Sequence, residues 1–273
     1  MPGIVAIREV AGPTTSSSDE FSFPQPSGGR SLRFDSPFEF AMGGYNWTAT
    51  LVDEHQEPIR SWLEADDPQT LEPWSFDGLR VAFPPFSRAG SRVVAATPAG
   101  AELAPPPWPD GYLVSLQWAP QHDRLFLLRG DGVELFDGDF GLVAAPRWKH
   151  FEWPRAGWLT RGDHFFVLSR EPGRDLRFYS GEDGHLTGAV SLAPEIVLPY
   201  EAERFDHLGR DEYVLEVSPG TTGVARLLDE WSQHIWHQET NVLLLQTYRP
   251  SDRSEPDRVT VKPRWVAVEL SES

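Results

Sequence analysis

Residues 111–145 read GYLVSLQWAPQHDRLFLLRGDGVELFDGDFGLVAA, and residues 155–190 read RAGWLTRGDHFFVLSREPGRDLRFYSGEDGHLTGAV. The two stretches carry one pattern twice. Asp123 opens the apolar run RLFLL, and forty residues on Asp163 opens HFFVL. Val133–Phe136 followed by Asp137 matches Leu176–Tyr179 followed by Ser180, and Gly141 matches Gly184. The second copy has a longer middle turn, from Glu171 to Asp175. Short apolar runs bounded by Gly, Asp and Ser are strands rather than helices, so each copy parses as four short strands. Four strands per repeat, with a period in the forties, favours a propeller over a sandwich.

The same punctuation extends outward. GIVAIREV (3–10) is one strand, and residues 11–30 form a connector rich in Ser, Pro and Gly from which Phe21 and Phe23 can dock. SLRF, FEFAM, NWTATLVD and PIRSWLE follow as strand candidates. Trp47, Ala49 and Leu51 alternate with Thr48, Thr50 and Val52, the mark of a half-buried strand. Residues 72–104 hold a shorter unit whose clearest strands are GLRVAF and SRVVAAT, and APPPWPDG (104–111) is loop because proline cannot donate to a ladder. After LAPEIVLPY, Asp211 opens EYVLEV, and NVLLLQTY and DRVTVKPRWVAVEL close the chain. Repeat starts near 31, 72, 111, 152, 200 and 240 describe an all-β, single-domain propeller of about six four-stranded blades over 31–273, with five or seven as alternatives. A short helix is expected near 229–239, with Asp229 as its N-cap and Leu228, Trp231 and Ile235 on its apolar face. Strand 3–10 is expected to pair with 265–270, because open edges invite aggregation.

Lys plus Arg number 24 and Asp plus Glu 41, a net charge of −17 that repels nucleic-acid phosphates and anionic membranes. With no cysteine, disulfides and thiolate chemistry are excluded. Disorder is not implied: 40% of residues are hydrophobic, and 16 Phe, 11 Trp and 6 Tyr need a core or a binding surface. No apolar stretch is long enough to span a membrane, and MPGIVAIREVAG lacks the build of a signal peptide, so a cytoplasmic setting is expected. Arginine supplies all but two of the basic side chains, Lys149 and Lys262, a bias that fits a bacterial source. The sequon Asn46-Trp47-Thr48 is read as inert.

Val133-Glu134-Leu135-Phe136-Asp137, followed by a short turn to Gly141, resembles the third-strand ending of a WD40-type blade. In that family an aromatic–Asp pair closes the third strand and a Gly turn leads to the outer strand; here Phe136-Asp137 stands for Trp-Asp. The Gly-His pair that usually opens such a repeat is missing from every unit. The resemblance covers residues 111–190, implies a divergent WD40-like β-propeller and brings no catalytic residues with it.

Candidate chemistry is sparse. On a helix, Glu230, His234 and His237 would share a face and could hold a metal, but the expected reading is the polar, solvent-facing side of a surface helix, with the metal set as the lesser alternative. Asp137-Gly138-Asp139 lacks the remaining ligands of a calcium loop, and Arg129-Gly130-Asp131 and Arg161-Gly162-Asp163 fall where turns need Gly and Asp. His55, His122, His185 and His207 read as solvated turn residues, and His164 as a strand start. No nucleophile elbow, phosphate loop or dinucleotide fingerprint is present, and no cofactor is expected. Trp47, Trp62, Trp118, Trp158 and Trp265 fit strand cores, whereas Trp108, Trp148 and Trp153 lie in or near loops and are the candidate partner-binding residues. The expected function is non-catalytic: a protein-interaction module, as an accessory or regulatory subunit of a bacterial complex, for a protein partner of basic character. The alternatives are a hydrolase or lyase with its site in a central channel, metal-dependent or not, and carbohydrate binding by the loop tryptophans.

Overall fold

The computed structural model describes residues 2–11, 20–35, 47–65, 71–84, 93–103, 113–148, 154–168, 175–192, 202–207, 213–217, 234–250 and 258–272. Strand β1 (Gly3–Val10) comes first. An antiparallel meander follows, of β2 (Glu20–Pro24), β3 (Arg30–Asp35), β4 (Trp47–Asp53) and β5 (Pro58–Ala65). A reduced unit has β6 (Leu71–Glu72), β7 (Val81–Phe83) and β8 (Val94–Ala96), extended by the bridges Trp74↔Val81 and Ala96↔Glu102. A five-stranded sheet comprises β9 (Leu113–Trp118), β10 (Arg124–Arg129), β11 (Gly132–Asp137) and β12 (Leu142–Ala144), with β6 added along β9, and a four-stranded sheet comprises β13 (Arg155–Trp158), β14 (His164–Leu168), β15 (Asp175–Ser180) and β16 (Leu186–Ser191). The last sheet holds β17 (Ala202–His207), β18 (Tyr213–Val217), β19 (His234–His237), β20 (Val242–Pro250) and β21 (Arg258–Ser271), with β1.

The chain divides into two compact units: Thr15–Val167 with Tyr179–Leu186, and Met1–Thr14 with Leu168–Phe178 and Thr187–Ser273. In the second, β1 pairs with β21 from Gly3↔Ser271 to Val10↔Trp265, as the terminal residues lead one to expect. A bulge between Ile4 and Ala6 interrupts the ladder, and Arg8 pairs with Glu269 at 2.8 Å. Fourteen residues make β21 long enough to carry β18 and β1 in succession along one edge and β20 along the other. The repeat starts expected near 200 and 240 therefore belong to one six-stranded sheet.

In the first unit, the β9–β12 sheet has a core on each face. Leu125 and Leu127 of β10 join Leu116, Trp118, Phe136 and Phe140 in one cluster with the β2–β5 and β7–β8 sheets. Phe126 and Leu128 point the other way, into a cluster with Trp158, Phe165, Val167 and Tyr179. Alternate residues facing two different cores explain why RLFLL is continuously apolar instead of alternating. Trp118 and Trp158 are fully buried, Trp47 and Trp265 are buried, and Trp62 is partly buried against Phe83.

One turn recurs after the third strand of four repeats. Asp53, Thr97, Asp137 and Ser180 each donate their own N–H to a carbonyl four or five residues on, and their side-chain oxygens accept backbone N–H groups inside the turn. For Asp137, Oδ1 accepts from Asp139 at 3.0 Å and from Gly141 at 2.7 Å. This carboxylate is a turn cap rather than the start of a calcium loop. A left-handed residue completes each turn: Gln56 (φ 65°), Gly100 (80°), Phe140 (63°) and Gly184 (70°). The partner of Gly184 is thus Phe140, not Gly141. Phe140 tolerates the strained region because its ring packs edge-on against Trp118, centroids 6.0 Å apart. The same capped turn is therefore present in four repeats, although an aromatic residue precedes the cap only at Phe136-Asp137 and Tyr179-Ser180.

Two expectations are corrected. Glu20–Pro24, assigned to the connector, is a strand in register with Ser31–Asp35, since Phe21 and Phe23 alternate onto Trp47 and Phe34. Near 229–239, His234–His237 is a strand paired with Val242–Leu245, followed by a single 3₁₀ turn, Gln238–Thr240. Ladder hydrogen bonds to β20 override the local helical pattern there, as tertiary context commonly does. Residues 229–233 lie outside the described residues.

Candidate interaction surface

Successive strands of a meander reverse direction, so its first and third turns open at the same end of the sheet. The first turns also share one plan. Gln25, Ser75, Ala119 and Leu159 donate their N–H to the carbonyl five residues on, that of Arg30, Arg80, Arg124 and His164 respectively. In three of them a glycine with positive φ, Gly28, Gly78 or Gly162, donates back to the turn's first carbonyl.

Side chains link this end of one sheet to the next. Gln25 Nε2 donates to the Gly78 carbonyl (2.7 Å), and Gln121 Nε2 donates to the Thr160 carbonyl (3.1 Å). Arg80 Nη1 lies 3.3 Å from Asp123, and His122 Nε2 lies 2.9 Å from Asp163. Arg60 donates to the Gly100 carbonyl (2.8 Å) and pairs with Glu102. These links gather the first and third turns of neighbouring sheets into one face, and that face is acidic. Glu54, Glu57, Asp139, Asp163, Glu182 and Asp183 are all exposed on it. Its Arg80 is only 22% exposed and is enclosed by Asp77 (3.5 Å), Asp123 (3.3 Å) and Asp139 (3.5 Å).

The carboxylates respond differently to this crowding. Partial burial raises Asp123, Arg80 opposes the rise, and the charges of Asp77 and Asp139 add to it. Burial also acts upward on Asp77, but the Ser75 hydroxyl, the Leu79 N–H and Arg80 together hold it below the usual carboxylate range. The His185 side chain, hydrogen-bonded to Asp183, draws that carboxyl down to about 2.

Of the candidate residues named from sequence, Trp148, His234 and His237 lie among the described residues. Trp148 is buried: its ring packs in the second core near Tyr179, and its Nε1 donates to the Gly130 carbonyl at 3.0 Å. Its place beside a loop concealed a backbone bridge between Gly132 and Arg147 that turns the ring inward. Trp108, Trp153 and Glu230 lie outside the described residues. His234 and His237 sit on strand β19 rather than on a helix. His207 ends strand β17 rather than lying in a turn. Arg129 of the first Arg-Gly-Asp tripeptide is buried and faces Glu134, so that tripeptide is not displayed.

A second notable group is Glu72. Its strand β6 runs parallel to β9, with Glu72 opposite Gln117. Gln117 in turn touches β13, donating to the Ala156 carbonyl (3.2 Å) and accepting at its own carbonyl from Trp158 Nε1 (3.0 Å). Glu72 keeps an exposed surface, but desolvation by the protein around it pushes its carboxyl up to about 7. Between pH 4.5 and 7 the unfolded chain has released a proton that the folded chain retains. The contribution of Glu72 to folding stability is thus fully present below pH 4.5 and declines as pH rises towards 7. Urea midpoints at pH 5 and pH 7.5 should show this decline in the wild type and a weaker one in Glu72→Gln. Identical pH dependence in the two proteins would exclude the effect.

Neither Glu72 nor the Arg80 cluster was singled out from sequence. Aligning Trp74-Ser75 with Trp118-Ala119 and Trp158-Leu159 is the signal that places Asp77, Asp123 and Asp163 in equivalent turns.

No protein-family model and no curated protein matches the sequence. Among solved structures, Kuenenia stuttgartiensis hydrazine synthase is similar over 85% of this chain and 56% of its own, at 12% identity and a TM-score of 0.50. Chaetomium thermophilum Sqt1, bound to the N-terminus of the ribosomal protein L10, is similar over 89% and 57%, at 13% identity and a TM-score of 0.48. The β-propeller domain of the trilobed protease from Pyrococcus furiosus is similar over 84% and 78%, at 15% identity and a TM-score of 0.45. The chain spans little more than half the length of the first two. At these identities the likeness concerns fold alone. The repeated meanders and their shared turns are those of a β-propeller fold.

Proposed function

We propose that this WD40-like propeller is a non-catalytic interaction module, an accessory or regulatory subunit of a complex, whose acidic turn face docks a basic protein partner. The observation that supports the reading is the gathering of exposed carboxylates from several repeats at one end of the sheets, with Arg80 already neutralised by exposed Asp139 and by the partly buried Asp77 and Asp123. Such a face speeds encounter with a basic partner and disfavours acidic ones. The accompanying expectation of a cytoplasmic, bacterial setting rests on composition. Among the described residues no helix is long and apolar enough to cross a membrane.

The alternative of an enzyme draws on Glu72, whose carboxyl titrates in the range useful for acid–base chemistry. Among the described residues its shift comes from desolvation, with no second acid or base beside it to complete a pair. The tests separate the two readings. For the module, raising salt from low to physiological concentration should slow association with the native partner more than it speeds dissociation. The variant Asp139→Asn/Asp163→Asn should lose most of that salt dependence. Partner binding indifferent to both changes would refute the acidic-face reading. Turnover of a small molecule that disappears in Glu72→Gln would establish the enzyme.

A further inference from the structure

The first turn of the second repeat, Ser75-Phe76-Asp77-Gly78-Leu79-Arg80, carries two large apolar side chains in solvent: Phe76 is 43% exposed and Leu79 is 60% exposed. The turn plan does not ask for them. The equivalent positions hold Pro26 and Gly29, Pro120 and Asp123, and Thr160 and Asp163. The other exposed large apolar residues among those described lie on strands, and Phe76 is the one exposed aromatic.

The turn is also held rigidly. Ser75 Oγ donates to Asp77 Oδ1 (2.6 Å) and accepts from the Arg80 N–H (3.0 Å), and Asp77 Oδ1 accepts from the Leu79 N–H (2.9 Å). Gln25 grips the Gly78 carbonyl from the preceding sheet. Gly78 has φ +69°, and a side chain there would meet Ser27 Oγ at 2.7 Å, so this backbone has little freedom. Binding to such a turn loses little conformational entropy. Around it stand Asp77, Asp123 and the 96%-exposed Asp139. An apolar anchor rimmed by charge is the usual plan of a binding hot spot.

We infer that the 75–80 turn is the anchor of the acidic face, and that it takes a partner segment with an aliphatic or aromatic residue flanked by arginines or lysines. The apolar residue covers Phe76 and Leu79 while its cationic neighbours meet Asp123 and Asp139. Charge complementarity selects this occupant over an acidic or purely apolar one. The inference rests on the acidic-face reading and deepens it.

The test uses the full chain and two synthetic fluorescent peptides. One has two leucines flanked on each side by arginines; in the other, serines replace the leucines. Anisotropy should show the leucine peptide binding the wild type at least tenfold more tightly than the serine peptide. Phe76→Ser/Leu79→Ser should abolish that preference with the thermal midpoint retained, and Asp123→Asn/Asp139→Asn should weaken both peptides. Equal binding of the two peptides, still weakened by the Asn substitutions, would overturn the anchor and leave the acidic face standing. Binding of neither peptide, or binding indifferent to the Asn substitutions, would overturn both.

Discussion

Trp118→Ala should destabilise the protein by about 3–5 kcal/mol, a large part of a typical domain stability of roughly 5–15 kcal/mol. Trp118 is 1% exposed, stands opposite Leu125 in the β9–β10 ladder and packs edge-on against Phe140. Its removal leaves a cavity in the first core and releases the residue that steadies the left-handed turn at Phe140. A denaturation midpoint unchanged by the substitution would contradict this placement. A subtler contrast follows from the two indole N–H groups. Trp158 Nε1 donates to the Gln117 carbonyl, whereas Trp118 Nε1 is buried with no hydrogen-bond partner among the described residues. Trp118→Phe should therefore be tolerated better than Trp158→Phe, by about 1 kcal/mol.

Glu134→Ala is expected to cost about as much, roughly 3–5 kcal/mol, for an electrostatic reason. Glu134 is 2% exposed, and its two oxygens lie 2.9 Å from Arg147 and 3.4 Å from Arg129, which is itself only 4% exposed. Without the carboxylate, the Arg129 guanidinium is left buried and uncompensated. Arg147 reaches solvent and keeps Asp131 at 3.4 Å, so it suffers less. The double substitution Arg129→Leu/Glu134→Leu removes both buried charges and should recover most of the loss, because an apolar pair avoids the desolvation that the ion pair must offset. Urea midpoints of the two single variants and the double variant form the cycle. Additive losses would show that the two groups do not interact.

The strand pattern was legible wherever it is local. The run at Leu125–Leu128 and the position of the turns after Asp137 and Ser180 read correctly, because the apolar period and turn signals act within a few residues, whereas the left-handed position fell on Phe140 and not on Gly141. At Glu20–Pro24 the surrounding Ser, Pro and Gly hid a strand that exists through its pairing with Arg30–Asp35. At His234–His237 an apparent helical face gave way to the ladder with β20. Trp148 looked free in a loop, but the Gly132–Arg147 bridge brings its ring into the core. Each of these outcomes depends on a partner distant in sequence.

From its residues alone, the chain commits to an all-β repeat architecture, to acidic character and to turns whose capping oxygens and left-handed positions are set within five or six residues. Tertiary structure decided the rest. Glu134, central in an apolar run, became the acceptor of a buried ion pair only when Arg129 and Arg147 arrived beside it. Asp77, Asp123 and Asp163 sit some forty residues apart in sequence and share a face because stacked meanders bring equivalent turns to the same end. Periodicity reveals which side of a strand a residue occupies. Which neighbour covers that side, or whether water does, is decided by sheet register and stacking.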